Sequence, residues 1–278
     1  MSRRLELTTL LAFGGEPRPA EHALGFLFLR LLGEHLPGAN ESSTAWEHLA
    51  AIPGRQLGAA LDDTCRACEQ VWPALKGFFD GVEFSRCPAP ALRRSIELVG
   101  RVVAAYPSAT CLAEAYQTTR SLSTSQWQGA YFTLYKLARA QALLLEPQPD
   151  EWVLDPCCGG GAMLIAALDV VRERYGVEAA LGLTLVGVEL DVRTAEIARA
   201  SLVLAGAHPD QFWVGTGNSL TQPLVGRDRS SGRLRELQFP HILTNPPFGR
   251  AASRGTGAEL REPLVVPDRV LYRPVPAR

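Results

Sequence analysis

The stretch "WVLDPCCGGGAMLIAAL", residues 152–168, decides the fold. A short apolar run ends in an Asp, three consecutive glycines follow, and a second apolar segment begins. The first run predicts a buried β-strand and the second an α-helix. Glycines between them let the backbone approach a ligand closely, and a helix N-terminus offers free amide donors. The stretch predicts a site for a nucleotide-like cofactor, or else a tight turn that binds nothing.

A hydride-carrying dinucleotide is the less expected cofactor. Its fingerprint has a third glycine where this chain has Leu164, and its loop does not usually open with Asp-Pro.

The residues on both sides of this loop repeat the same alternation. Helical patterns of ten to fifteen residues separate four short apolar runs, which are "EWVLDP", "TLVGVEL", "QFWVGTG" and "HILTNPP". Such alternation implies crossover connections and a parallel sheet with helices on both faces. We therefore predict an α/β fold, a doubly wound, Rossmann-like parallel sheet of about four strands.

The N-terminal part differs in pattern. Residues 20–117 read as amphipathic helices with apolar positions three and four residues apart, and the polar segment 118–129 lacks periodicity. We predict an all-helical domain at 1–122, the α/β domain at 123–250 and an irregular tail at 251–278.

Composition limits the classes of function. The net charge is −1, and residues 1–125 hold twelve Lys or Arg against thirteen Asp or Glu, so the chain lacks the excess of a dedicated nucleic-acid clamp. DNA binding would need a local patch or a partner. No apolar run is long enough to span a membrane, and the N-terminus is not typical of a signal peptide. We expect a cytoplasmic protein.

The spacing of the six cysteines does not indicate a metal site. Cys65 and Cys68 form a "CRAC" pair, and the cysteines at 87 and 111 that follow are widely spaced singles rather than the second pair of a zinc site. We expect free, mostly buried thiols.

Polar residues follow the second and third strands. Glu189 would lie beside the glycine loop, where its carboxylate can accept both hydroxyls of a ribose, while Asp191 is the better candidate for capping the next helix. Asn218 could contact an adenine edge, or it could only shape a glycine-rich turn. Upstream, Phe132 and Thr133 precede a helix that leads into the glycine-loop strand. Thr133 could cap that helix, or the exposed amides could hold a carboxylate.

The fourth strand ends in "TNPPFG", where two prolines forbid its continuation. A proline-rich turn is the simplest interpretation. A chemical one also exists, because the Asn245 side-chain carbonyl and the Pro246 backbone carbonyl are two acceptors at a fixed angle. They suit an exocyclic amine, and Phe248 could stack on its base after the base leaves the double helix.

In order, "YFT", "DPCCGGG", "GVELD" and "NPPFG" resemble the S-adenosylmethionine-dependent N6-adenine DNA methyltransferases. The closest resemblance is to the methyltransferase subunit of type I restriction-modification systems. It implies Phe132 and Thr133 at the methionine end of the cofactor and Glu189 on the ribose. It further implies that the cofactor is also contacted by Asp155, Pro156, Gly159, Gly161 and Asn218. The target adenine would be held by Asn245, Pro246, Pro247 and Phe248. Transfer would be direct, without a metal.

The resemblance also implies partners, which are DNA and the specificity and restriction subunits. This chain departs from the family pattern at Leu134, where Pro is usual, and at Asn218, where an acid is common.

The last thirty residues are not recognisable as family sequence. That family's sheet has seven strands, so we expect the fourth strand to be covered by "PLVV" or "RVLY", by a second chain, or by nothing in a truncated product. We expect little methyltransferase activity from this chain alone. The alternatives are a non-catalytic, partner-binding remnant and a methyltransferase that acts on an amine of RNA or on a protein glutamine.

Overall fold

The computed structural model describes residues 19–35, 51–105, 110–123, 133–247 and 262–271. The chain divides into two compact units, one of Met1–Ser125 with Leu204–Gly206 and the other of Gln126–Val203 with Ala207–Arg278. The predicted limits at 1–122 and 123–250 stay a prediction. None of the helices in the described ranges is long and apolar enough to cross a membrane.

The first unit is helical. Its helices are α1 (Pro19–His35), α2 (Gly54–Val71), α3 (Ala89–Ala105) and α4 (Cys111–Ser123), with 3-10 turns at Pro73–Leu75 and Phe84–Arg86. Helix α1 is buried on nearly all sides over residues 22–29, so it forms the centre of this unit. Two aromatic pairs join it to the later turns, with Phe26 against Phe84 at 4.5 Å and Phe28 against Phe78 at 5.1 Å between ring centroids.

The 3-10 turn at Phe84–Arg86 is fixed against α2. The Asp62 carboxylate accepts the backbone N–H groups of Phe84, at 2.7 Å, and Ser85, at 3.1 Å. Gly58 allows this approach, because a Cβ there would lie 2.6 Å from the Phe84 carbonyl oxygen. Cys65 and Cys68 are buried and free on the same helix, and burial raises the pKa of both thiols.

The second unit contains the predicted sheet. Its strands are β1 (Trp152–Asp155), β2 (Thr184–Glu189), β3 (Phe212–Thr216), β4 (Leu224–Arg227), β5 (Leu234–Glu236), β6 (His241–Ile242) and β7 (Leu264–Val265). Its helices are α5 (Tyr135–Leu145), α6 (Ala162–Tyr175), α7 (Val177–Ala180), α8 (Val192–Leu204) and α9 (Asp268–Leu271). Strands β3, β2, β1 and β6 form one parallel sheet in that order. The α/β prediction is confirmed, with its four strands at the predicted runs.

A second, three-stranded sheet was not predicted. Strand β4 pairs with β5 antiparallel and with β7 parallel. The segment "GRDRSSGRLRE", residues 226–236, forms the hairpin that joins β4 to β5. Strand β5 is exposed along its length. An exposed strand carries no alternation of buried and polar residues, so its sequence gave no strand signal.

The described part of the predicted irregular tail, residues 262–271, contains β7 and α9. Val266 and Val270 are buried and pack with Leu154 and Val186 of the parallel sheet. The "PLVV" run forms β7 and pairs with β4 rather than with β6, so it does not cover the fourth strand. Among the described strands β6 pairs only with β1, and Ile242 on it is 57% exposed.

Candidate functional site

The carboxyl ends of the four parallel strands meet at one edge of the sheet, which is where doubly wound sheets bind ligands. Asp155 ends β1, Glu189 ends β2, Asn218 follows β3 and Asn245 follows β6. The structure therefore brings four predicted site residues to one edge. Phe132 and Phe248 lie outside the described residues.

The glycine loop, residues 156–161, is bound tightly to β2. Cys158 N donates to the Val188 carbonyl at 2.9 Å, and Gly161 N donates to the Cys158 carbonyl at 2.8 Å. Gly187 on β2 makes room for the loop, because a Cβ there would lie 3.0 Å from the Cys158 sulfur. The loop is thus a preformed support at the edge of the sheet.

The loop leaves open space above Gly159. Its φ is +52°, and a Cβ built there would meet no described atom within 4 Å. Gly161, with φ of +88°, is the N-cap of α6 and has no side chain that could accept from the first-turn amides of the helix. No side chain among the described residues caps these N–H groups, which are of the kind that can bind an anionic or polar ligand.

Glu189 supports the loop and still has acceptor capacity. Its Oε2 accepts from Gly159 N and its Oε1 from Asp191 N, both at 3.0 Å. A carboxylate has about four lone-pair positions, so two remain for ligand hydroxyls. The predicted role of Asp191 as a helix cap is confirmed, because its Oδ1 accepts from Thr194 N at 2.8 Å.

Asp155 lies beneath the loop, with 1% of its surface exposed. Its Oδ1 accepts from Thr244 Oγ1 at 2.7 Å and from Cys157 N at 3.1 Å. Burial raises the pKa of Asp155 to about 7, although those two donors lower it, and the nearby Glu189 carboxylate raises it further. Asp155 therefore connects the glycine loop to the segment that contains Asn245.

Asn218 makes a local turn in this structure. Its Oδ1 accepts from Leu220 N at 3.0 Å, and its own N–H donates to Gln222 Oε1 at 2.7 Å. These bonds agree with the interpretation in which Asn218 shapes a turn. A contact between Asn218 and an adenine stays a prediction. Two exposed leucines also follow the strand ends, Leu190 at 69% and Leu220 at 68% exposure. We did not predict a role for them, although Leu190 directly follows β2 and Leu220 lies four residues after the end of β3.

Thr133 contacts Asn245 instead of capping a helix. Helix α5 has Leu134 as its N-cap, with φ of −59° and ψ of 131°, and no side chain caps it. The predicted cap at Thr133 is therefore wrong, because Thr133 lies one residue too early. Its Oγ1 accepts instead from Asn245 Nδ2 at 3.1 Å. Pro246 and Pro247 are exposed beside this contact.

Helix α5 is anchored to α6, which fixes the position of Thr133. The Tyr135 hydroxyl donates to Asp169, and burial together with that carboxylate raises the tyrosine pKa. Arg139 makes a bidentate ion pair with Glu173, with N–O distances of 2.8 and 2.6 Å. The start of α5 is thus held at the edge of the site.

Comparison with known proteins defines the family. A model of the family described as N-6 DNA Methylase matches residues 112–265, which is more than half of the chain. The chain belongs to this family. The resemblance to N6-adenine DNA methyltransferases is confirmed.

Two curated relatives and one solved structure show how far the similarity extends. The chain is 30% identical over 139 residues to the type I restriction enzyme MjaVII methylase subunit of Methanocaldococcus jannaschii, a match over 49% of this chain and 22% of that protein. It is 38% identical over 100 residues to the type II methyltransferase M.MamI of Microbacterium ammoniaphilum, over 35% and 25% of the two chains. The chain thus matches only about a quarter of these relatives' length.

A solved methyltransferase subunit of a type I restriction-modification system from Streptococcus thermophilus shares the fold. The TM-score is 0.52 at 15% identity, and the match covers 88% of this chain and 61% of that one.

Proposed function

We propose that this chain is the methylase subunit of a restriction-modification system and transfers a methyl group from S-adenosylmethionine to N6 of adenine in DNA. One observation carries the proposal beyond family membership. Asn245 is held at the same sheet edge as Glu189 and the open glycine loop. A cofactor on the loop and an amine at Asn245 would therefore be neighbours.

The cofactor fits the residues present. The remaining lone pairs of Glu189 suit the two ribose hydroxyls, and the space above Gly159 admits a ligand close to the backbone. Exposed Leu190 offers an apolar surface to a flat base. When bound, S-adenosylmethionine supplies an electrophilic methyl group on its sulfonium. We assign Phe132 and Thr133 to the methionine end. Asp155, Pro156 and Gly161 would keep the loop in shape, and Asn218 would border the adenine.

At the target, this chain's residues act by position and by hydrogen bonding. Asn245 Oδ1 and the Pro246 carbonyl would each accept one hydrogen of the adenine amine. This geometry would direct the nitrogen lone pair at the methyl group of a bound cofactor, and the bonds would strengthen as the nitrogen becomes positive. The C–S bond would break to leave S-adenosylhomocysteine, and the methylated nitrogen would give one proton to solvent. Phe248 would stack on the base and Pro247 would hold the turn rigid. No side chain needs to become covalently attached.

We propose that other chains complete the DNA-binding surface. The solved neighbour and one curated relative are called subunits of type I systems. A net charge of −1 agrees with a chain that shares DNA binding with partners. We propose a specificity subunit and a restriction subunit as those partners, with the assembly acting on DNA in the cytoplasm.

The transfer step is tested with the chain in excess over labelled DNA, so that a single slow turnover is visible. The expected product is N6-methyladenine, identified by mass spectrometry of the digested nucleosides. Asn245→Ala should lower the rate by about 100-fold, because a preorganised donor or acceptor at a reacting centre contributes on that order. Gln148→Ala, at an exposed amide before β1 and away from the strand ends that form the site, is the control. Methyl groups found only in RNA, in protein or on cytosine would contradict the proposal.

A further inference from the structure

The side-chain amide of Asn245 has one acceptor end and one donor end, and only the acceptor can receive a hydrogen from an amine. One hydrogen of the donor end is used, since Nδ2 donates to Thr133 Oγ1 at 3.1 Å. No side chain or N–H within the described ranges donates to Oδ1. The carbonyl is therefore the end left for a ligand.

The Thr133 hydroxyl is free for this contact because of the local backbone. Leu134 is extended and serves as the N-cap of α5, so the hydroxyl one residue earlier does not cap the helix. The bond from Tyr135 to Asp169 on α6 holds the start of the helix in place. In the orientation observed, Thr133 Oγ1 is the acceptor for the Asn245 amide.

The residue before Asn245 is tethered independently. Thr244 Oγ1 donates to Asp155 Oδ1 at 2.7 Å, and Asp155 is buried beneath the glycine loop. The segment that contains Asn245 is therefore held on one side by Asp155, and the amide itself is held by Thr133.

We propose that Thr133 is a positioning residue that orients the Asn245 amide with its carbonyl toward the substrate. The inference rests on the proposed function, because it gives that carbonyl a target amine. It also makes Thr133 a determinant of specificity. An amide in the opposite orientation would present N–H groups, which suit a base with a carbonyl at the same position, such as hypoxanthine.

Binding measurements test this specificity without turnover. Single-stranded oligonucleotides with one central adenine or one central hypoxanthine among pyrimidines are titrated into the chain saturated with S-adenosylhomocysteine. We expect the wild-type chain to prefer adenine. Thr133→Val should reduce that preference by about 2-fold to about 12-fold, the range that one net hydrogen bond produces. Thr133→Ser, which keeps the hydroxyl, should retain it.

The outcomes separate positioning from other roles. A Thr133→Val chain that loses affinity for both oligonucleotides equally would overturn the inference, as would one that only binds S-adenosylmethionine more weakly. The second result would limit Thr133 to the cofactor contact proposed above.

A spectroscopic test needs neither activity nor DNA. The ¹⁵N-labelled side-chain amide of Asn245 is assigned by its disappearance in Asn245→Asp. Loss of the acceptor in Thr133→Val should shift the Asn245 amide protons upfield, and Thr133→Ser should restore them. Identical Asn245 resonances in all three chains would refute the inference. Failure of the proposed function would appear separately, as absent adenine methylation by a wild-type chain that still shows the bond. Thr133→Ala replaces Thr133→Val if the valine chain fails to fold.

Discussion

Asp155→Asn should make the stability of the second unit less dependent on pH. Asp155 has 1% of its surface exposed, and the shift of its pKa from 3.8 to about 7 comes mainly from burial. This difference of about 3 in pKa changes the free energy of unfolding by at most ~4 kcal/mol between a pH below the unfolded-state pKa and a pH above the folded-state pKa. Because the pKa is raised in the folded state, this contribution is complete below pH 4. It decreases as the pH rises toward 7, since the buried carboxyl must then ionise.

Urea denaturation followed by tryptophan fluorescence between pH 4.5 and 8 measures the effect. The wild-type unfolding free energy should fall by about 2–4 kcal/mol more over this range than that of Asp155→Asn. Asparagine keeps an oxygen that can accept from Thr244 and Cys157, so the variant should fold. The substitution therefore removes the ionisable group and keeps a hydrogen-bond acceptor at the same position.

Thr244 provides the matched pair of controls. Its hydroxyl lowers the Asp155 pKa, so Thr244→Val should extend the loss of stability to higher pH, and Thr244→Ser should not. The reasoning fails if wild type and Asp155→Asn lose the same stability between pH 4.5 and 8.

Two further variants test the glycine loop and the tail. Gly161→Ala should lower the free energy of unfolding by about 1–2 kcal/mol, because Gly161 has φ of +88°. Gly100→Ala, in a helix with open space around it, should not lower it. Equal thermal denaturation midpoints for the two variants would contradict the assigned loop conformation. Val270→Ala should lower the free energy of unfolding by about 1.5–3 kcal/mol, since this side chain is buried against the sheet. The half-exposed Val265 should tolerate alanine within about 0.5 kcal/mol, and equal urea midpoints for the two valine variants would show that α9 does not pack there.

The parallel sheet could be predicted because its strands are apolar runs that end in recognisable residues. Strand β2 is buried along almost its whole length and lies between two helical patterns in the sequence. Strand β5 could not be predicted, because every residue in it is exposed and its sequence is that of a polar loop. The packing of Val270 is a long-range effect that no local pattern carries.

The residues of the candidate site could be predicted from their type and position, but the hydrogen bonds between them could not. Glu189 and Asn245 stand at strand ends, where their chemistry suggests a role. The bond between Thr133 and Asn245 joins residues 112 positions apart, and the bond between Asp155 and Thr244 joins residues 89 apart. Such bonds depend on which strands become neighbours. A helix cap was one of the two roles open for Thr133, because a one-residue shift of a helix start cannot be predicted from sequence.

The binding of S-adenosylmethionine to the purified chain tests the central claim most directly. Calorimetry should show one molecule bound per chain, displaced by S-adenosylhomocysteine. Glu189→Gln should weaken binding at least about 10-fold, because the amide replaces one acceptor oxygen with a donor. Glu178→Gln, at an exposed glutamate on α7, should not change it. Absence of binding, or binding that Glu189→Gln leaves unchanged, would contradict the assignment of this sheet edge as the cofactor site.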